Sequence, residues 1–151
     1  MSGIRLADIP DIDEICKLGS ELLAQSVYSD IKPDESKYRL FVAGLMGTKK
    51  GAVFVAVDDD DKPQGMLFGL IDDLFFSRYC YATDVAFYVR EGYRHLVPAL
   101  MKRFMSWAEG KPRVMYISLG ISSGTGDLAR VGELYEKFGL ERVGGIYYKR
   151  V

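Results

Sequence analysis

Residues 79–109, YCYATDVAFYVREGYRHLVPALMKRFMSWAE, constrain this chain more than any other stretch. They read as a strand rich in β-branched and aromatic residues, a short basic turn, and a helix. In the helix the apolar residues Val97, Leu100, Met101, Phe104 and Ala108 recur at spacings of three and four. A strand that passes directly into a helix places the first, unpaired amides of that helix at the end of a sheet. Pro98 suits the first helical position, which makes Val97 the expected cap, and valine has no side-chain oxygen to accept those hydrogens. Arg90 and Arg94 lie just upstream, at the positive end of the helix dipole, so an anion such as a phosphate or ordered water would satisfy the donors.

The remaining pattern surrounds this unit with an α/β arrangement. Gly3 to Leu6 is a short strand. Asp8 and Pro10 then open a helix with Ile9, Ile12, Ile15, Cys16, Leu22 and Leu23 on one broad face. Asp34 caps a second helix carrying Tyr38, Phe41, Val42, Leu45 and Met46, and Gly47 closes it. AVFVAV, residues 52–57, is almost wholly apolar, as a strand covered on both faces must be. The polar turn DDDDKPQG joins it to GMLFGLIDDLFF, an expected antiparallel partner in which Gly65 and Gly69 allow bending. Four consecutive aspartates lack the alternation, central glycine and late glutamate of a calcium loop, and read as a solvated hairpin tip. RVMYISLG (113–120) is a further strand, and Leu128, Val131, Leu134, Tyr135 and Phe138 mark a last helix ended by a left-handed Gly139. ERVGGIYYKRV reads as a closing strand or hairpin. The expected fold is an α/β (α+β) domain over residues 1–151: a mixed, mostly antiparallel sheet with helices on both faces, three layers deep.

Composition narrows the function. The 151 residues carry 20 basic and 21 acidic side chains, a net charge of -1, so no bulk attraction to nucleic acid or an anionic membrane is expected. The basic patch from Arg90 to Arg103 lies in no nucleic-acid recognition motif. Cys16 and Cys80 have no metal-ligand spacing and read as small buried hydrophobes; no metal is expected. No stretch has the composition of a signal peptide or a membrane span. A cytoplasmic protein is the expectation.

The N-terminal IRLADIPDIDEI, the strand and turn VAFYVREGYR, the helix LMKRFMSWA and above all the closing LYEKFGLERVG resemble the GNAT family of acyl-CoA-dependent N-acyltransferases, over essentially the whole chain. The resemblance implies transfer of an acetyl group from acetyl-CoA to an amine acceptor, a small molecule or a protein, with a homodimer as one quaternary arrangement. It places the pantetheine arm beside Val85, Phe87 and Val89, with a backbone amide near Val85 or Phe87 facing the thioester oxygen. The cofactor pyrophosphate would meet the turn of Arg90, Arg94, His95, Leu96, Val97 and Ala99. In the family that turn is glycine-rich; here only Arg94 matches clearly, His95 to Pro98 stand where glycines are expected, and the turn is about two residues short. Side chains narrow the approach of a phosphate to the backbone, and the alternative is a non-catalytic coenzyme A binding or interaction module.

The resemblance also gives Asp84 the role of taking the amine proton and Tyr135 that of reprotonating the thiolate. Read from the residues alone, Asp84 equally suits capping or pairing at a strand edge, and Tyr135 core filling with a bonded hydroxyl. His95, the lone histidine, suits phosphate contact or simple exposure. Arg90, Lys102 and Arg103 also read as a solvated face, and SSGTG (122–126) as a loop, with contact to a phosphate as the alternative. On the acceptor side Tyr28, Asp30, Asp34, Asp72 and Asp73 would suit a cationic amine, or be polar loop surface.

Overall fold

The computed structural model describes residues 2–121 and 128–151; the SSGTG segment lies outside the described residues. In chain order the elements are β1 (Gly3–Leu6), α1 (Ile12–Ala24), α2 (Glu35–Met46), β2 (Gly51–Val57), β3 (Pro63–Asp73), β4 (Cys80–Val89), α3 (Val97–Glu109), β5 (Val114–Ser118) and α4 (Leu128–Lys137). The strands form one sheet in the order β1-β2-β3-β4-β5. The first four are antiparallel, joined to their neighbours by turns or by the α1–α2 excursion, and β5 runs parallel to β4 because α3 carries the chain back.

Strand β2 shows why the sheet needs helices on both faces, since every one of its residues is buried. Ala52, Phe54 and Ala56 pack with Leu100, Phe104 and Ala108 of α3. Val53, Val55 and Val57 point the other way, to Ile15 and Leu18 of α1 and Val42 and Leu45 of α2. The period of two thus feeds two cores from one strand, each fully buried apolar side chain contributing about 1.5–3 kcal/mol.

Local chemistry sets the helix positions. Asp34 caps α2, its carboxylate accepting the Lys37 amide at 3.0 Å. Arg5 on β1 grips Asp11 with both terminal nitrogens, at 2.7 and 3.0 Å, and Asp11 also accepts the Asp8 amide, which fixes how the chain enters α1. The aspartate tip is held by its own bonds: Asp58 accepts the amides of Asp60 and Lys62 at 2.9 and 3.0 Å. Gly139 closes α4 at φ 86, the left-handed value expected.

Three expectations are corrected. Ile9 is 77% exposed, because a 3-10 turn over Ile9–Asp11 precedes α1 and rotates it off the apolar face. The cap of α3 is Leu96, one residue before the expected Val97. Gly65 and Gly69, each beside a register shift of the sheet, also permit close approach: a Cβ on Gly65 would stand 2.7 Å from Val89 Cγ2, and one on Gly69 would stand 2.9 Å from Trp107. No strand forms beyond α4; residues 140–151 are irregular, with Val143, Ile146 and Tyr147 exposed.

Candidate active site

Pairing between β4 and β5 ends at Thr83 and Ser118, while β4 continues against β3 to Val89. From Asp84 to Val89 the β5 side of the strand is therefore unpaired. A bulge coincides with this opening: Phe68 opposes Ala86 and Gly69 opposes Asp84, so Val85 has no cross-strand partner and is 46% exposed. The bulge also shifts the side-chain phase. Beyond it Phe87 and Val89 pack toward α3, and Ala86 and Tyr88 toward α1 and α2.

One residue, Gly120, spans the opening. The Gly120 amide donates to Asp84 Oδ1 at 3.1 Å, and the Gly120 carbonyl accepts the Tyr135 hydroxyl at 2.9 Å. Asp84 and Tyr135, 51 positions apart in the sequence, are thus brought to the two sides of a single glycine. Desolvation raises the Asp84 carboxyl above the usual carboxylate range, against the pull of the Gly120 amide and its own backbone. Burial, and then the nearby charge of Asp84, raise the Tyr135 phenol, so it stays protonated across the physiological range. A carboxyl held toward its neutral form and a phenol that keeps its proton face a groove of about 1650 Å³.

Val85, Phe87, Val89, Arg90, Arg94 and Val97 line that groove with Asp84 and Tyr135. His95 is exposed near Tyr93, their ring centroids 6.5 Å apart. Leu96 packs against the α3 core, and Ala99 is exposed. The turn between β4 and α3 is not an open loop. Glu91–Leu96 coil into a 3-10 helix running straight into α3, and the Val97 amide donates to the Arg94 carbonyl. Pro98 has no amide hydrogen, so the first turn of α3 offers fewer donors than its sequence suggests.

Arg90, although it lines the groove, is engaged with α1 and β3. Its guanidinium meets Glu21 at 2.9 Å, Glu14 at 2.9 Å and Gln64 Oε1 at 2.9 Å, tying the end of β4 to α1. Arg94 remains exposed at the groove. On the acceptor side, Asp34 is the α2 cap and Asp30 pairs with Arg150. Asp72 accepts from the Tyr81 hydroxyl at 3.4 Å, and Asp73 lies 3.7 Å from Lys50. Tyr28 alone of the five residues named for that side lines the groove.

Four residues take parts that the sequence reading did not assign. Gly120 was invisible because its role depends on a contact 36 positions away, although its place at the end of the segment 113–120 was a usable signal. Glu14 and Glu21, on the polar face of α1, gave no hint of meeting Arg90. Tyr38, read as an apolar-face residue, crosses from α2 to lie over Gly19 and reach the groove.

No family model and no curated protein sequence matches the chain. Solved structures do. AAC(6')-Iy in complex with the bisubstrate analog CoA-S-monomethyl-acetylneamine superposes with a TM-score of 0.75 at 14% identity, covering 100% of this chain and 98% of that one. Glucosamine-6-phosphate N-acetyltransferase from Arabidopsis thaliana gives 0.73 at 15% identity, over 99% and 98%. A transcriptional regulator from Bacillus halodurans C-125 gives 0.69 at 16%, over 100% of both chains. Identities this low speak to architecture, and one architecture hosts several functions. The strand order, the splayed β4–β5 pair and these superpositions together establish that the chain has the fold of the GNAT N-acetyltransferases.

Proposed function

We propose that this protein is an N-acetyltransferase that moves an acetyl group from acetyl-CoA to an amine. The observation that carries this reading is the Asp84–Gly120–Tyr135 arrangement at the point where β4 leaves β5. Transfer forms a carbon–nitrogen bond and breaks a carbon–sulfur bond, so the protein has to remove a proton from the amine and return one to sulfur. Asp84 takes the first part: a carboxylate lifted by desolvation is a stronger base than one in water. Tyr135 takes the second, its raised phenol holding a proton that the hydroxyl delivers when it turns from Gly120. The unpaired peptide at Val85 supplies polarity for the thioester oxygen. The opened strand edge from Val85 to Val89 would hold the pantetheine arm, and Arg94 a phosphate.

A calorimetric titration with acetyl-CoA, followed by amine-dependent release of free thiol, tests the reading. Binding and thiol release together are expected. A second reading, a module that binds coenzyme A without turnover, is favoured by one observation: the 3-10 helix fills the turn where a phosphate would approach the backbone. Binding with no thiol release across primary amines would select it.

A further inference from the structure

Most acidic side chains that would attract a polycation are engaged within the protein; the exposed Glu133 of α4 also lines the groove and has no ion pair among the described residues. Besides Asp30, Asp34, Asp72 and Asp73, the α1 and α2 wall of the groove carries Asp13, Glu21 and Glu35. Arg39 holds Asp13 at 2.6 Å and Glu35 at 3.2 Å, and Arg90 holds Glu21. A ligand with several ammonium groups would have to break these pairs.

The same wall is rich in rings. Tyr28, Tyr38 and Tyr88 line it, over a floor that includes Met66 and Ala86. The Tyr38 hydroxyl has only distant partners, Ile15 O at 3.5 Å and Met66 Sδ at 3.8 Å. The Tyr88 hydroxyl accepts from Gln25 at 3.0 Å and keeps its own hydrogen to donate. Tyr28 is braced from behind by the C-terminal segment: its ring meets Tyr148 at 6.3 Å, and Arg150 bonds Asp30 and the Val27 carbonyl, at 2.7 Å for the latter. Aromatic faces attract both apolar bodies and a single cation.

Resting on the N-acetyltransferase reading, we infer that the acceptor is a small monoamine with an apolar or aromatic body, seated against Tyr28, Tyr38 and Tyr88. Its one charge falls to Asp84, the acidic side chain at the strand opening. Polyamines and polycationic sugars are disfavoured as acceptors, because most of the wall acids are already paired.

The test compares phenethylamine, ethylamine, spermidine and kanamycin as acceptors at fixed acetyl-CoA, with cofactor affinity measured separately. Phenethylamine is expected to have a kcat/KM at least about tenfold above each of the others. Tyr28→Ala, a half-exposed site, should raise KM for phenethylamine about fivefold, the size of one aromatic contact, and leave that for ethylamine unchanged. A preference for spermidine or kanamycin would overturn the monoamine assignment and leave the transferase reading standing. An equal effect of Tyr28→Ala on phenethylamine and ethylamine would overturn the role of the aromatic wall. Transfer to none of the four, with acetyl-CoA bound, would overturn both.

Discussion

Tyr135 and Asp84 show how a residue's surroundings, rather than its type, decide its chemistry. Tyr135→Phe keeps the ring on the buried face of α4 and removes the proton. Turnover is expected to fall about tenfold to a hundredfold, water replacing the donor in part. The Gly120 carbonyl also loses its donor, so the melting temperature should drop by a few degrees, as for one hydrogen bond of about 1 kcal/mol. Unchanged thiol release at saturating substrates would reduce Tyr135 to a core residue. For Asp84 the folded pKa is raised by desolvation, so the folded state binds the proton more tightly than the unfolded chain. Its contribution is most favourable below the unfolded value of about 3.9 and declines as pH rises through the folded value. Asp84→Asn, which can still accept from Gly120, should therefore be more stable than wild type at pH 7, with the difference shrinking as pH falls toward 4. A difference that grows on acidification would contradict the burial argument. The family resemblance pointed to both residues, whereas their meeting at Gly120 was not legible, because nothing local encodes a bond across 36 or 15 positions.

At the scale of elements, legibility followed how far each element depends on its own sequence. Helices α2 to α4, and α1 from Ile12 onward, fell where their apolar period placed them, and β2 was evident from an unbroken apolar run. ERVGGIYYKRV failed because a strand needs a partner as well as propensity, and Gly144 with Gly145 interrupts its alternation. The turn was read as poor in glycine and about two residues short, and the structure fills it with a 3-10 helix. Arg94→Ala is accordingly expected to weaken acetyl-CoA binding by about 1.5–3 kcal/mol, the size of a charge-assisted contact, while Arg103→Ala, over the Phe54 ring on α3, has little effect. Equal affinities for wild type and Arg94→Ala at one ionic strength would remove the phosphate contact. Gly69 sets how closely α3 approaches the sheet. Alanine there would press on Trp107 and on Phe104, whose nearest ring atom would lie 3.0 Å away, and should cost about 1–3 kcal/mol. Gly44→Ala on the exposed face of α2, where a Cβ meets nothing within 4 Å, should instead stabilise by about 1 kcal/mol. Similar shifts for the two variants would show that close packing at Gly69 does not govern the contact.

For the whole molecule, the arrangement that matters is one sheet serving two cores. Strand β2 alternates between them residue by residue, and β3 does the same with Leu67 facing α3 and Met66 and Phe68 facing α1 and α2. Neither core can lose its strands without exposing the other, so unfolding should be a single cooperative transition. Trp107 reports it from one side. Its ring stands edge-on to Phe54 at 5.9 Å, lies near Phe104 at 6.0 Å, and is covered by Lys111 at 5.4 Å, so unfolding transfers it to water and shifts its fluorescence. Helix α1, on the far face, is followed by far-ultraviolet circular dichroism together with the other helices. The urea midpoints from the two signals are expected to coincide. Trp107→Ala tests the same coupling by perturbation. The ring is half-buried, so the cost should be about 2 kcal/mol, below the 3–5 kcal/mol typical of a fully buried aromatic. In a chain of this size that corresponds to about 4–8 °C in melting temperature. If the sheet couples the cores, the midpoint by circular dichroism falls with the whole loss and no second step appears. A biphasic curve in Trp107→Ala, with the α1 and α2 side melting at the wild-type midpoint, would mean that the two faces of the sheet fold independently.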